Sequence, residues 1–432
     1  MKTLYIILGS LLLLTACEDL EQFPPNIASS GSLTDYEGVL NAAYFYQHGS
    51  ATPMAVMGDF RADNALMLEP PYTEFDIYGP NLTAMEDQFF GPFYTALYKS
   101  ILSANNVIEN SKVATEVGEA QFLRALSYFK LVRVFGDVTV NLSASPSTTD
   151  GSILVRQPAA DVYNNVIIPD LEDAIAALDT KIVEGRASKY AAQGLLGKVL
   201  VQMGDFGQAE SHLAAVVNGA AAAEISLQDN YADIFGVDND LNSEIIYATQ
   251  ISSSISDEYG DSEFWSWYGG LDTKSLEPLD TDLIAAFDAS PGDLRRAVNI
   301  DETLLRSPKY PQTGGPDHDW IELRLGDVIL LYAETLNENG STPAALVELN
   351  KIRTRAGLAN STATSQAEVR TAIADERRLE LAFEGQRWFD LVRTGTVNAE
   401  MGETVDSKYY VFPIPISEVL ASFGVITQNA GY

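Results

Sequence analysis

The chain has 432 residues, 46% hydrophobic and 20% charged, enough apolar material for a sizeable core and too much for wholesale disorder. Its 27 Lys and Arg are set against 60 Asp and Glu, and the formal charge of −33 repels nucleic acid and anionic membrane surfaces, which removes both as partners. One cysteine excludes an intrachain disulfide and a cysteine-built zinc site, three scattered histidines form no HExxH pair, and neither GxxxxGK(S/T) nor GxGxxG occurs, so we expect no metal and no cofactor.

Lys2 opens the chain, and Leu4 to Leu14 form an apolar run too short to span a bilayer as a mature helix but suited to a signal-peptide core. Leu14-Thr15-Ala16-Cys17 then reads as a bacterial lipobox: an apolar residue, two small residues, and the cysteine whose thiolate takes diacylglycerol. We expect residues 1–16 to be a lipoprotein signal peptide, 17–30 an acylated tether starting at Cys17, and 31–432 a single body. Each buried CH₂ of a lipid chain contributes ~0.8 kcal/mol, so two or more chains anchor stably and the membrane is met through lipid alone. Glu18 and Asp19 resemble the surface-export signal of Bacteroidetes lipoproteins, which implies an outer-membrane location facing the cell surface.

Helical periodicity dominates the chain beyond the tether. Tyr94, Leu97, Tyr98, Ile101, Leu102, Asn105 and Ile108 fall at i, i+3, i+4, i+7 spacing. Further stripes are Phe122–Leu126–Phe129–Val132, Ile167–Leu171–Ala174–Leu178, Leu196–Val199–Leu200–Met203 and Val328–Leu331–Tyr332–Thr335. Gly204-Asp205 and Asn339-Gly340-Ser341 each predict a helix stop followed by a cap for the next helix, with a small alanine behind it to let the pair approach. These units resemble tetratricopeptide helix pairs, mainly within 90–220 and 320–395. The predicted class is mainly α, with a loop-rich region over 221–319. In that region Asp238-Asn239-Asp240-Leu241-Asn242-Ser243-Glu244 has alternating oxygen ligands but lacks the central glycine of a calcium loop, and reads as a structural loop.

The densest motif runs from Asp375 to Arg393, DERRLELAFEGQRWFDLVR. At helical spacing Glu380–Glu384–Arg387 and Asp390–Arg393 sit one turn apart, which reads as an ion-paired structural helix. A glycosidase pair among Glu376, Glu380 and Glu384 is the catalytic alternative. The stretch closely resembles the signature of the SusD/RagB family. So do Glu119–Ala125 with Val134–Val138, Gly185–Ser188, Arg324–Glu334, Tyr410–Pro415 and Gln428–Tyr432, although Thr139 and Ala430 stand where that family usually has proline. The resemblance implies a SusD-like helical fold and no catalysis. It implies capture of oligosaccharide, or of peptide in the RagB branch, for a SusC-like TonB-dependent outer-membrane transporter.

A neutral glycan site needs aromatic platforms beside amides and carboxylates, because pyranose rings have apolar faces and polar edges. Phe264, Trp265, Trp267 and Tyr268 are the first candidates, four rings in five residues, with Trp265 and Trp267 pointing the same way if the segment is extended. Tyr72, Phe75 and Tyr78 form a second candidate loop, preceded by Asp63 as a hydrogen-bonding group.

Overall fold

The computed structural model describes residues 35–147, 149–183, 185–255, 263–271 and 275–432. The signal peptide, Cys17 and the tether lie outside the described residues. By its internal contacts the chain divides after Tyr36, and residues 37–432 form one unit.

The helical stripes become helices as the spacing predicts. After α1 (Glu37–Phe45), α2 (Gly91–Asn110) starts on Pro92 and buries Tyr94, Leu97, Ile101 and Val107. It packs on α3 (Ala114–Phe135), which is buried on nearly every side from Gly118 onward and stops at Gly136 with φ +72°. Helices α4 (Ile168–Ala177), α5 (Lys189–Met203) and α6 (Phe206–Gly219) continue the array. Between α5 and α6 the predicted turn forms: Gly204 takes φ +76°, and the Asp205 carboxylate accepts the Gln208 N–H. A Cβ at Gly197 would come within 2.4 Å of Leu213, so a glycine sets the approach of this pair in addition to the buried Ala209.

The corresponding turn between α9 (Leu325–Glu338) and α10 (Thr342–Arg355) differs from expectation. Gly340 takes φ +84°, but Ser341 makes no side-chain cap; the Thr342 hydroxyl bonds the Asn337 side-chain oxygen instead. Region 221–319 holds α7 (Phe264–Tyr268), α8 (Thr281–Asp288) and strand β3 (Ile245–Thr249), and its described helices reach at most eight residues. β3 pairs antiparallel with β4 (Trp320–Arg324), Ile245 opposite Arg324 and Thr249 opposite Trp320. The other sheet pairs β1 (Val138–Thr139) with β2 (Arg156–Gln157).

The signature motif is not one helix. α11 (Gln366–Glu380) starts on a Ser365–Glu368 capping box and ends at Glu380. Phe383 (φ +62°) and Gly385 (φ +66°) reverse the chain before α12 (Arg387–Thr394). The expected Glu380–Glu384–Arg387 ladder therefore does not form, whereas Asp390–Arg393 does, at 2.8 Å. Gly385 lies so close to Gly58 that a Cβ at Gly58 would sit 2.2 Å from its carbonyl oxygen, which locks this turn against the segment before Phe60. Among the described residues no helix is long and apolar enough to cross a membrane.

Candidate functional site

The aromatic segment is helical, and this overturns its reading as an extended row of platforms. On α7, Trp265 and Trp267 stand about 200° apart around the axis instead of on one side. Phe264, Trp267 and Tyr268 are fully buried. Phe264 meets the edges of Tyr310 and Trp320 at 4.9 and 5.0 Å. Trp267 packs against Phe89 at 5.5 Å, and Tyr268 stacks on Phe60 at 5.6 Å while its hydroxyl donates to Asp59 at 2.7 Å. A ring enclosed this way has no face to offer a ligand. Trp265 is half-buried, and a side chain at Gly315 would meet its ring at 4.0 Å.

The second loop is corrected in the same way. Phe75 is enclosed by Phe89 and Phe90, and Tyr78 stacks on Trp388 at 5.7 Å with the Arg61 guanidinium 4.4 Å from its ring centre. Asp63 is buried between Arg387 (2.7 and 2.8 Å) and Arg378 (2.9 Å). Burial pushes its carboxyl up, but the Arg387 hydrogen bonds and both arginine charges outweigh this and hold it below the usual carboxylate range. It is a strut. Tyr72 remains half-buried, its hydroxyl donating to Gln88 at 2.5 Å.

The signature carboxylates are consumed by a buried lattice. Arg295, Arg324, Arg353, Arg355 and Lys309 pair with Asp293, Glu244, Glu376, Glu380 and Glu384, five cations to five acids. Arg324 alone reaches Glu244 at 2.9 Å, Glu380 at 2.6 Å and Glu384 at 2.7 Å. Burial raises Glu380, yet Arg355, Arg324 and Arg295 overcome it and hold the carboxyl far below its ordinary value. A carboxylate pinned in this way neither donates nor takes up a proton near neutral pH. Burial raises Glu376 instead, but it too is paired, with Arg295 at 2.7 Å and Arg353 at 2.9 Å. A second group joins Lys198, Arg377 and Arg393 to Asp327, Asp390 and Glu334. Glu244, from the acidic loop that resembles part of a calcium site, belongs to the first lattice.

A different cleft opens beside β3. It measures about 450 Å³ and is lined by Asn41, Tyr44, Phe45 and His48 from α1 and the turn after it. Tyr247, Thr249, Gln250 and Ser252 line it from β3 and its extension, and Asp240 and Asp319 from the adjoining loops. Its lining contains no Lys or Arg. The neighbouring cation, Arg186, pairs with Glu119 at 2.7 Å, donates to the Asn41 side-chain oxygen at 2.6 Å and lies 4.8 Å from the Tyr44 ring centre, so it backs two residues of the lining. Burial, then the Asp240 charge, push Asp319 up to about 7 although the Ile251 N–H donates to it at 2.8 Å. Burial, then Asp238 and Asp317, push Asp240 up to about 6. The floor is stiff: Thr249 donates to Glu322, which pairs with buried Lys130, and Lys130 also donates to Gln47 and Ser50. The loop 311–319 links cleft and ring, since it carries Asp319 and runs past Trp265 at Gly315. The sequence did hold a signal for this wall: Asn41, Tyr44, Phe45 and His48 fall at i, i+3, i+4, i+7 on one helix face.

Comparison with known proteins agrees along the whole chain. A SusD family model matches residues 304–404, and a model described as starch-binding, associating with outer membrane, matches residues 18–201; together they span well over half of the chain. The chain belongs to the SusD/RagB family. SusD-like protein P2 of Formosa agariphila is 26% identical, covering 100% of this chain and 99% of that protein. A SusD-like protein of Bacteroides ovatus is 27% identical, covering 90% and 82%. Among solved structures, a SusD superfamily protein of Parabacteroides distasonis superposes with a TM-score of 0.76 at 20% identity over 93% of this chain and 100% of that one. A laminarin-binding SusD-like protein gives 0.75 at 24% over 93% and 99%. These likenesses establish the SusD-like, mainly helical fold.

Proposed function

We propose that this SusD-like protein captures uncharged oligosaccharide and releases it to a TonB-dependent outer-membrane transporter without altering it. The observation that carries the reading is the cleft beside β3, where rings, amides, hydroxyls and two carboxyls of raised pKa line the wall and no Lys or Arg does. Such a surface suits the apolar faces and hydroxyl edges of a neutral sugar, and it repels sulfated or uronic glycans. The family relationship supports glycan as the ligand, and the laminarin-binding neighbour makes a neutral glucan the first ligand to try. In this reading residues 1–16 are removed, Cys17 is acylated, 17–30 form the tether, and the body is presented at the cell surface.

Calorimetry with laminarin oligosaccharides, a wider neutral panel, and sulfated or uronate oligosaccharides tests this. Binding confined to the neutral set is expected. A preference for anionic sugars, or for basic peptides attracted to Asp240 and Asp319, would replace the neutral-glycan reading, and bond cleavage on prolonged incubation would replace the non-catalytic one. Cys17→Ala is expected to leave the membrane fraction in cells that lack the transporter; retention there would exclude the lipid anchor.

A further inference from the structure

An apolar ridge near the carboxyl terminus is not used by the fold. Ile416 is 47% exposed, Leu420 68%, Phe423 98% and Val425 40%. The ridge is held rigidly. Gly424 N–H bonds the Val419 carbonyl, Val425 N–H the Ser422 carbonyl, and Ile426 N–H the Ser422 hydroxyl, with Ser422 and Ile426 buried beneath. Phe423 adopts φ +54°, a left-handed conformation rare for a bulky residue, and projects its ring into solvent. Folded proteins seldom expose contiguous apolar surface except where something binds it.

A groove of about 630 Å³ adjoins the ridge through Ile416, with Pro71, Ala84 and Tyr432 among its walls. The margin is mainly acidic, although Arg156 bonds the Thr427 carbonyl and the Asn429 side chain on either side of Gln428. Glu86 accepts the N–H groups of Ile416 and Ser417 at 2.6 and 3.0 Å, Glu418 stands close enough that burial and then the Glu86 charge raise its pKa, and Glu74 lines the groove. No Lys or Arg lines the groove. An apolar knob and hollow with an acidic border fit a protein surface that is apolar at its centre and bordered by Lys or Arg. An anionic lipid surface is repelled by this border, and a second copy, carrying the same acidic border and a formal charge of −33, repels its twin. The groove wall also holds Pro71 and Glu74, which flank Tyr72.

We infer that this ridge and groove are the docking face for the outer-membrane transporter, engaging an apolar hollow bordered by basic residues; the inference rests on the transporter reading above. The test uses the full-length chain in the outer membrane of its own host. Because Cys17 is the sole native cysteine, Phe423→Cys places a benzophenone maleimide at the ridge, and Leu102→Cys, at a 40% exposed site on α2, is the control. Photolysis is expected to join position 423, and not position 102, to a TonB-dependent barrel identified by its peptides. The Leu420→Glu, Phe423→Asp variant is expected to lose at least tenfold in co-purification from mild detergent, with unchanged thermal midpoint and unchanged oligosaccharide affinity. Equal labelling from both positions, adducts with a second copy or with lipid alone, or undiminished co-purification would overturn the assignment. Absence of any such barrel from the wild-type complex would instead overturn the transporter reading itself, before a variant is made.

Discussion

Two regions of this protein are rich in carboxylates, and they use them in opposite ways. Around α11 every signature glutamate is buried against arginine or lysine, and Glu380 is held far below its ordinary pKa by three arginines. In the cleft beside β3, Asp240 and Asp319 have no Lys or Arg in the lining; burial pushes both up, helped by the Asp240 charge at Asp319 and by Asp238 and Asp317 at Asp240. The first arrangement spends the hydrogen-bonding capacity of its acids on the scaffold; the second leaves polar capacity turned toward a cavity. Acidic composition alone does not distinguish the two. What does is whether a cation arrives from elsewhere in the chain.

The largest effect should come from breaking the first region. Arg324→Met removes the cation shared by Glu244, Glu380 and Glu384 and leaves buried negative charge uncompensated, which costs about 3–5 kcal/mol. Urea unfolding should show a large fall in midpoint, or no folded protein at all; an unchanged midpoint would mean that the lattice is not structural. Trp267→Ala, which empties a fully buried ring site, should also cost about 3–5 kcal/mol. A stable Trp267→Ala protein with weakened glycan binding would restore that ring as a platform.

The second region can be sharpened by pH. Asp319 holds its proton in the folded state up to about 7, against an ordinary value of 3.8. The folded chain therefore binds more protons than the unfolded chain between those values, and stability contributed here is fully present below about pH 4 and lost as pH rises through 7. At ~1.4 kcal/mol per unit the loss is at most about 4 kcal/mol. Asp319→Asn keeps an oxygen for the Ile251 N–H and removes the titration. It should be more stable than wild type by about 2 kcal/mol at pH 8, with the difference vanishing toward pH 4. A difference that is the same at both pH values would assign the effect to packing.

These contrasts also show what was legible in the sequence. Leu97, Ile101 and Leu171 announced their helices because helix periodicity is local, and the Gly204-Asp205 turn was readable for the same reason. The partners of Glu380 were not readable: Arg324 lies 56 residues away and Arg295 85, so only the folded topology brings them together. The break at Phe383–Gly385 was masked by the helical spacing of the flanking charges, although Gly385 is a poor helix former, and the turn packs in close contact with Gly58. The rings of α7 stand out by composition, which says that a segment is aromatic and not which rings face inward. The cleft draws on residues 41–48, 185, 240–255 and 319, four parts of the chain that no local pattern joins.

The smallest effect is the most discriminating for function, because it compares two tryptophans on one short helix. Trp265 is half-buried and Trp267 fully buried, so the same substitution should act on binding in one case and on folding in the other. A ring that stacks on a sugar removes about 60 Å² of apolar surface from water, worth about 1.5 kcal/mol at ~25 cal/mol per Å². A few such contacts must offset an association cost of at least about 4 kcal/mol, which sets the affinity in the micromolar to millimolar range and suits a protein that must release its cargo. Trp265→Ala should therefore weaken binding of a neutral oligosaccharide about tenfold, since ~1.4 kcal/mol is a factor of ten, while leaving the unfolding midpoint nearly unchanged. Calorimetry and thermal unfolding on the same sample read both quantities. If Trp265→Ala binds as wild type does, the sugar lies wholly within the β3 cleft, and Tyr44→Ala becomes the substitution that must show the loss.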